Sequence, residues 1–290
     1  MPTYRIDLEY EGTRYRGWQE QQNARSVAGE LRRALGEAGG EVVELGGAGR
    51  TDAGVHALHQ VAHLRLRAPV DPVRFREHAN DALPHDIHIL ALVQASDRFH
   101  ARHDAVLRSY LYQISRRRTA LAKRGVWWVK RRLDEGAIGK AAALLPGFHD
   151  FSQLCERPQD QTSTKVGVDR ADIAEDGALI LLRFVASHFL WKMVRRIVGA
   201  LVKVGAGEIS IDAFAALIDG VRPEGDSPAA WTAPPAGLYL ERVLYAGDPG
   251  LGPLVPVIPV PAEPAPPRPG ISGGRGRVTA SGGRRPGRPR

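Results

Sequence analysis

Apolar and polar residues alternate along several short segments of the chain, which is the pattern of half-buried β-strands. Between Tyr4 and Tyr10 every second residue is apolar and the residues in between are charged. Alternation or a short apolar run predicts further strands at residues 41–45, 61–67, 87–93, 109–115, 178–185 and 238–245.

Helical periodicity occupies the stretches between several of these strands. Ser26 and Asp134 are good N-cap residues for two of the predicted helices. The helices are expected from Ser26 through Leu35, from Pro72 to Leu83, from Asp134 through Leu145 and from Phe189 to Val204. This mixture of strands and helices predicts an α+β fold with two similar halves, residues 1–103 and 104–245.

The last segment of the chain has a different composition. From residue 247 onward it contains 11 prolines and no aromatic residue, so it is predicted to be a disordered tail over residues 246–290. These 45 residues hold seven arginines, no lysine and only two acids, Asp248 and Glu263. The arginines are compatible with an inert extension and with weak affinity for an RNA backbone.

Composition places the chain among globular proteins, because 43% of its 290 residues are apolar and 25% are charged. The formal net charge of +8 suits a polyanionic partner and equally a mildly basic cytosolic protein. Cys155 is the only cysteine, so no disulfide framework or cysteine-based zinc site is expected, and a cytoplasmic location is predicted. The sequence contains no signal-peptide pattern at its start and no apolar run of membrane-spanning length.

The segment Gly49-Arg50-Thr51-Asp52-Ala53-Gly54-Val55-His56-Ala57 concentrates candidate chemistry. Asp52 in a glycine-rich turn is a candidate covalent nucleophile, because glycines allow a substrate to approach the backbone closely. The alternative is an Asp that only caps the turn. The preceding glycines do not complete a dinucleotide-binding fingerprint, and the chain contains no phosphate-binding P-loop motif.

Three histidines near Asp52 raise the alternative of a metal-dependent hydrolase. His56, His59 and His63 would share one face of a helix. The alternation over residues 61–67 instead predicts a strand, so no metal site is expected.

Two further positions combine charge or aromaticity with a special place in the pattern. Arg195 lies at the margin of the apolar stripe of its helix, where it meets a carboxylate or phosphate or extends to solvent. Arg196 lies on the opposite side, which predicts a solvent-facing residue. Tyr110 and Tyr112 share one face of a strand, either to stack on RNA bases or as core aromatics.

Taken together, these segments resemble the tRNA pseudouridine synthase A family over residues 1 to about 245. The matching stretches are Tyr10-Glu11-Gly12-Thr13-Arg14-Tyr15-Arg16-Gly17-Trp18-Gln19, Gly49 to Ala57 with Gln60-Val61-Ala62-His63, Asn80-Asp81-Ala82-Leu83-Pro84-His85-Asp86-Ile87, Phe99-His100-Ala101-Arg102, Arg108-Ser109-Tyr110-Leu111-Tyr112, His149-Asp150-Phe151-Ser152, Phe189-Leu190 with Met193-Val194-Arg195, and Gly237-Leu238-Tyr239-Leu240. The chain departs from the family at Glu11, where Asp is common, at His59, where Gly is common, and at Trp191-Lys192, where a polar pair is common.

The resemblance implies roles for five residues. Asp52 would be the nucleophile, Tyr110 would stack on the target uracil and assist removal of its C5 proton, and Arg195 would pair with Asp52. Arg50 would contact the RNA backbone, and Leu240 would pack near the uracil.

The resemblance also implies a pseudouridine synthase fold, with a mixed, largely antiparallel sheet and an active-site cleft between the two halves. The expected reaction converts uridine to pseudouridine at positions 38, 39 and 40 of the tRNA anticodon arm, without a cofactor or metal. The expected partners are tRNA and a second copy of the chain in a homodimer, with no membrane. A catalytically silent RNA-binding protein on the same fold is the alternative from another class.

Overall fold

The computed structural model describes residues 1–156, 163–222, 225 and 227–263. Within these residues the chain forms a single mixed sheet with α-helices packed against it. The strands are β1 (Thr3–Tyr10), β2 (Val42–Gly47), β3 (His56–Leu66), β4 (Ile87–Ala95), β5 (Ala105–Ser115), β6 (Trp127–Trp128), β7 (Gly147–Asp150), β8 (Lys165–Asp176), β9 (Leu179–Ala186) and β10 (Leu238–Tyr245). The helices are α1 (Val27–Glu37), α2 (Pro72–Ala82), α3 (Glu135–Ala142), α4 (Met193–Gly205) and α5 (Ile211–Ile218).

The sheet has the order β4-β1-β3-β10-β5-β9-β8-β7, with β2 beside β3 and β6 beside β5. The β10–β3 and β5–β6 pairs are parallel and the other pairs are antiparallel. The predicted α+β fold with a mixed, largely antiparallel sheet is therefore confirmed. Because β10 joins β3 to β5, strands from both sides of residue 103 belong to one sheet, and the division into two halves stays a prediction.

The helices pack against one face of this sheet. Leu31 of α1, Phe75 of α2 and Phe214 of α5 belong to one continuous apolar cluster with the strands. The caps predicted from the sequence are present: Gly29 N–H donates to Ser26 Oγ at 3.2 Å, and Ala137 N–H donates to an Asp134 carboxylate oxygen at 2.9 Å. No helix of the described residues is long and apolar enough to span a bilayer.

Helix α4 begins four residues later than predicted. Lys192 has a φ of 60°, and it is the only described residue other than glycine with a positive φ. A left-handed residue cannot continue a right-handed helix, so the helix starts at Met193.

Arg196 on α4 is buried, so the prediction that it faces solvent is wrong. Its guanidinium donates to the Cys155 carbonyl and lies 3.6 Å from Glu156 Oε2. The chain around residues 155–156 covers the side of the helix that periodicity had assigned to water. Carbonyl and carboxylate partners offset the cost of removing the guanidinium from solvent.

Residues 251–261, the C-terminal strap, pack against the other face of the sheet. Val260 is buried in a second apolar cluster formed with Leu111, Leu181 and Tyr239. Carbonyl groups of the strap accept hydrogen bonds from the sheet. The Gly252 and Pro253 carbonyls accept from the Arg183 guanidinium, the Val260 carbonyl accepts from the Ala178 N–H, and the Pro261 carbonyl accepts from Arg117.

The predicted disorder from residue 246 is thus wrong for residues 246–263, because strap carbonyls and apolar side chains find partners on an open sheet face. The rest of the predicted tail, residues 264–290, lies outside the described residues.

Candidate active site

Asp52 lies in the connection between β2 and β3, residues 48–55, hereafter the Asp52 loop. The loop turns at Gly54, whose φ of 77° is a conformation that favours glycine. Val55 N–H donates to the Asp52 carbonyl at 3.1 Å and closes the turn. The Asp52 side chain is 20% exposed, so a substrate can reach its carboxylate.

The segment after β1 supports the Asp52 loop through its backbone. Trp18 N–H donates to the Thr51 carbonyl at 3.1 Å, and Gly54 N–H donates to the Tyr15 carbonyl at 3.2 Å. Gly17 has a φ of 98°, and a Cβ there would lie only 2.5 Å from the Thr51 carbonyl oxygen. The close contact between these two segments therefore depends on a glycine at position 17.

Gln60 of β3 fixes the start of the Asp52 loop with its side-chain amide. Gly49 N–H donates to Gln60 Oε1 at 3.2 Å, and Gln60 Nε2 donates to the Gly49 carbonyl at 2.9 Å. Gln60 Nε2 also lies 3.4 Å from the Tyr10 hydroxyl, which is 2.8 Å from Thr51 Oγ1. Burial raises the pKa of Tyr10 to about 12, so its hydroxyl stays protonated at neutral pH.

Arg195 in the first turn of α4 forms an ion pair with Asp52. Its Nη1 lies 3.2 Å from Asp52 Oδ2, and its side chain is 14% exposed. Arg195 Nε donates to the Ala233 carbonyl at 2.7 Å, and Ala233 N–H donates back to the Arg195 carbonyl at 3.0 Å. Of the two alternatives for Arg195, the structure shows the carboxylate partner.

Tyr110 and Leu240 lie beside the start of the Asp52 loop. They are cross-strand partners on β5 and β10, and Leu240 also pairs with Ala57 on β3. A Cβ on Gly49 would lie 3.7 Å from both the Tyr110 hydroxyl and the Leu240 side chain. The Tyr110 ring packs edge-on against Phe189, with ring centroids 5.0 Å apart.

The Tyr110 hydroxyl stays protonated at neutral pH. Burial raises the pKa of Tyr110, and the nearby Tyr10 and Asp52 raise it further, because a phenolate would be poorly solvated and repelled by negative charge.

Arg50 takes no part in the ion pair between Asp52 and Arg195. It is exposed, and it forms no ion pair with any residue of the described ranges. The structure thus brings together Asp52 and Arg195, places Tyr110 and Leu240 next to the same loop, and leaves Arg50 at the surface.

Sequence reasoning missed Gln60, Tyr10 and Ala233 as supports of the site. A usable signal existed for Gln60, because it shares the strand face of Ala62 and Leu64, which is buried. A polar side chain on a buried face needs a partner. No local pattern could point to Ala233, whose contribution is its backbone.

His56, one of the histidines in the metal alternative, has both ring nitrogens occupied. Its Nδ1 accepts from Gly12 N–H at 3.0 Å, and its Nε2 lies 2.8 Å from the Arg124 carbonyl and 3.1 Å from the Ala236 carbonyl. Nε2 therefore carries the proton, and neither nitrogen is free to ligate a metal.

Among the described residues, one group of side chains lies close enough together to suggest a set of metal ligands. It consists of Glu44, His63 and His100, so it includes only one of the three candidate histidines. Nδ1 of His63 accepts from Ala101 N–H, and Nδ1 of His100 accepts from Arg102 N–H, both at 3.2 Å. A metal-ligating histidine ordinarily donates from its other nitrogen. These rings accept there instead, so this donor set does not fit a metal.

A family model described as tRNA pseudouridine synthase matches residues 8–104 and 141–246, which include Asp52, Arg195 and Leu240. The chain belongs to this tRNA pseudouridine synthase family. The family predicted from the sequence motifs is thereby confirmed.

Curated members of the tRNA pseudouridine synthase family are similar over their full length. The tRNA pseudouridine synthase A of Rhodopseudomonas palustris strain BisB18 is 42% identical over 248 residues, which are 84% of this chain and 100% of that protein. The protein of the same name from Sinorhizobium medicae strain WSM419 is 39% identical over 250 residues, again 84% of this chain and 100% of that protein. The protein is accordingly an isomerase of the class that converts uridine to pseudouridine in tRNA, as predicted.

Solved structures are much less similar. The archaeal box H/ACA sRNP Nop10-Cbf5 complex has a TM-score of 0.34 and 11% identity, covering 81% of this chain and 59% of that chain. A protein from Galdieria sulphuraria has a TM-score of 0.21 and 10% identity, covering 64% of this chain and 80% of that chain. At TM-scores this low, neither structure is similar enough to assign any feature to this tRNA pseudouridine synthase.

Proposed function

We propose that the protein converts uridine to pseudouridine at positions 38, 39 and 40 of the tRNA anticodon arm, with Asp52 as the nucleophile. The observation that carries this proposal is the Asp52–Arg195 ion pair at 3.2 Å, in a partly exposed site next to Tyr110 and Leu240. The family membership supplies the reaction class, and the intact ion pair argues against a catalytically silent RNA-binding protein.

The reaction requires few groups because its atoms balance within the substrate. The N1–C1′ bond breaks, the uracil turns, and a C5–C1′ bond forms. One proton leaves C5 and one is taken up at N1. A single carboxylate that adds to the nucleotide and leaves again can carry these steps without an oxidant, nucleotide cofactor or metal.

Arg195 and Tyr110 act on the flipped nucleotide. Removing a base from its stack costs a few kcal/mol, which contacts made only with the flipped base offset. The Arg195 guanidinium orients the Asp52 carboxylate through their ion pair. Leu240 provides an apolar surface beside the uracil.

Tyr110 provides an aromatic face for the uracil. Because its pKa is raised, the resting side chain is a neutral phenol. Its oxygen therefore accepts the C5 proton only as it gives its own proton to solvent, while N1 takes up one proton from solvent, so Tyr110 works as a relay and a stacking partner.

Arg50 binds the RNA backbone from its exposed position next to Thr51 and Asp52. The expected homodimer and cytoplasmic location complete the proposal. Light scattering at a defined protein concentration measures the oligomeric state, and cell fractionation measures the location.

Tritium release from C5-labelled uridine in a tRNA transcript tests the proposed reaction. Wild-type protein is expected to release tritium in the presence of EDTA, and Asp52→Asn is expected to release none, because the amide is isosteric but not nucleophilic. Filter binding of the same tRNA provides the folding control for Asp52→Asn.

Each contrary outcome points to a specific alternative. Loss of wild-type activity on adding EDTA would favour a metal-dependent enzyme. Binding of tRNA without release by either protein would favour the silent RNA-binding protein.

A further inference from the structure

A polar pocket adjoins the Asp52 loop at Ala53 and Gly54, the two residues after Asp52. It has a volume of about 390 Å³ and is lined by Thr13, Arg14, Tyr15, Arg16, Ala53 and Gly54. Two guanidinium-bearing residues therefore border a cavity that shares its wall with the loop carrying the nucleophile.

The nearby carboxylates do not neutralise these guanidiniums. Glu11 accepts from the backbone N–H and the hydroxyl of Thr13. Asp86 accepts from the Tyr15 hydroxyl, and its closest approach to Arg14 Nη1 is 3.9 Å. The Arg14 side chain is 63% exposed. Such a distant and solvated ion pair contributes little.

Arg16 is exposed and forms no ion pair with any residue in the described parts of the chain. The next arginines along the chain differ in this respect. Arg25 lies 2.5 Å from Glu30, Arg32 lies 2.8 Å from Glu20, and Arg33 lies 2.7 Å from Glu37. The unneutralised cations of this region thus lie next to the Asp52 loop.

The backbone beneath Arg14 and Arg16 is fixed relative to Asp52. Tyr15 N–H donates to the Gly12 carbonyl at 3.0 Å, and the Tyr15 carbonyl accepts from Gly54 N–H at 3.2 Å. Arg16 N–H donates to the Arg25 carbonyl at 2.9 Å. A ligand bound by these guanidiniums would therefore have a defined position relative to Asp52.

We propose that Arg14 and Arg16 form a phosphate site that binds the RNA backbone beside the flipped nucleotide. Guanidinium groups match phosphate oxygens in charge and in bidentate geometry, and backbone contacts of this kind set the register of an RNA without reading its bases. The site rests on the proposed function and adds to it a contact between the protein and the RNA backbone. Arg50 precedes Asp52 in the loop and this pocket adjoins the residues after it, so exposed arginines lie next to both ends of the Asp52 loop.

The dependence of tRNA binding on salt tests this site directly. The slope of log K against log salt is negative, and each phosphate contact that is lost reduces its magnitude by about 0.7 to 0.9. Arg14→Gln and Arg16→Gln are each expected to reduce the magnitude of the slope by that amount and the double variant by about twice as much. Arg131→Gln is the control, because Arg131 is 67% exposed and pairs with Glu208, which follows the C-terminal end of α4, whereas Arg195 lies in the first turn of that helix.

Kinetics separate positioning of the backbone from a role at the base. The double variant is expected to raise KM for tRNA about tenfold and to change kcat at saturating tRNA by less than threefold. Inorganic phosphate is included as a competitor. Suppose that millimolar phosphate weakens tRNA binding by the wild-type protein and that the substitutions leave the affinity for tRNA unchanged. This result would assign the pocket to a free anion and overturn the RNA site.

Failure of this inference is distinguishable from failure of the proposed function. Wild-type slopes and KM in the double variant, with tritium release intact, would overturn the phosphate site alone. A salt slope of reduced magnitude in the double variant, with no pseudouridine formed by the wild-type protein, would support the site and overturn the reaction. A wild-type protein that does not bind tRNA would overturn both.

Discussion

At the scale of single residues, the support of Asp52 depends on side chains that perform no chemistry. Gln60 lies fully buried on β3 and joins its amide to both the N–H and the carbonyl of Gly49. Without that amide, two backbone groups at the start of the Asp52 loop lose their partners, and each buried unsatisfied group costs about 1–3 kcal/mol.

Gln60→Leu keeps the approximate volume and removes both hydrogen bonds. We expect it to lower the free energy of unfolding by about 2–4 kcal/mol and to lower the single-turnover rate at least tenfold, because the loop carrying Asp52 loses its anchor. Denaturant unfolding and rapid-quench assays measure the two effects. Gln94→Leu on the exposed side of β4 is the control, and equal rates in the two variants would show that Gln60 does not position the loop.

At the scale of secondary-structure elements, sequence patterns located most elements and missed the contacts between them. The Ser26 and Asp134 caps are local interactions within three residues, so they are readable from the chain. The start of α4 and the burial of Arg196 depend on how the segment near Glu156 crosses the helix. Periodicity reports which face of a helix is apolar, and it does not report which other segment covers the polar face.

Gly17 illustrates the same limit in the contact between the segment after β1 and the Asp52 loop. Gly17→Ala would place a Cβ 2.5 Å from the Thr51 carbonyl at a φ of 98°. We expect a loss of about 1–3 kcal/mol in stability together with a loss of activity, because relief of the clash moves the loop. Gly36→Ala in α1 has open space around it and is expected to stabilise by about 0.5–1 kcal/mol. Melting temperatures and tritium release compare the two; full activity of Gly17→Ala would contradict the argument.

At the scale of the whole molecule, the helices leave one sheet face to other segments. The strap covers part of it, and Arg183 joins that face to the strap through the Gly252 and Pro253 carbonyls while also pairing with Glu241. The family match ends at residue 246, so the strap lies beyond the segment shared with the family model.

Two shortened chains separate the strap from the segment after it. Ending the chain after Ala246 removes the strap, uncovers the cluster around Leu181 and Tyr239, and leaves Arg183 without its carbonyl partners. Burial of one valine such as Val260 is worth about 1.5–3 kcal/mol, so we expect the melting temperature to fall by several degrees. Ending the chain after Glu263 keeps the strap and is expected to melt like the full chain. Equal melting of all three proteins would show that the strap contributes nothing to stability.

The sequence by itself determined the strands that alternate, the capped helices, the family and the residue types at Asp52, Tyr110 and Arg195. These features depend on near neighbours in the chain or on the side chains themselves. The tertiary structure brings Arg195 to Asp52, 143 residues away, as the family resemblance implies. It alone decided that Gln60 anchors the Asp52 loop, that Arg196 is buried and that the strap is ordered. Those contacts join segments whose separation is set by sheet register and helix packing, and no local pattern encodes that separation.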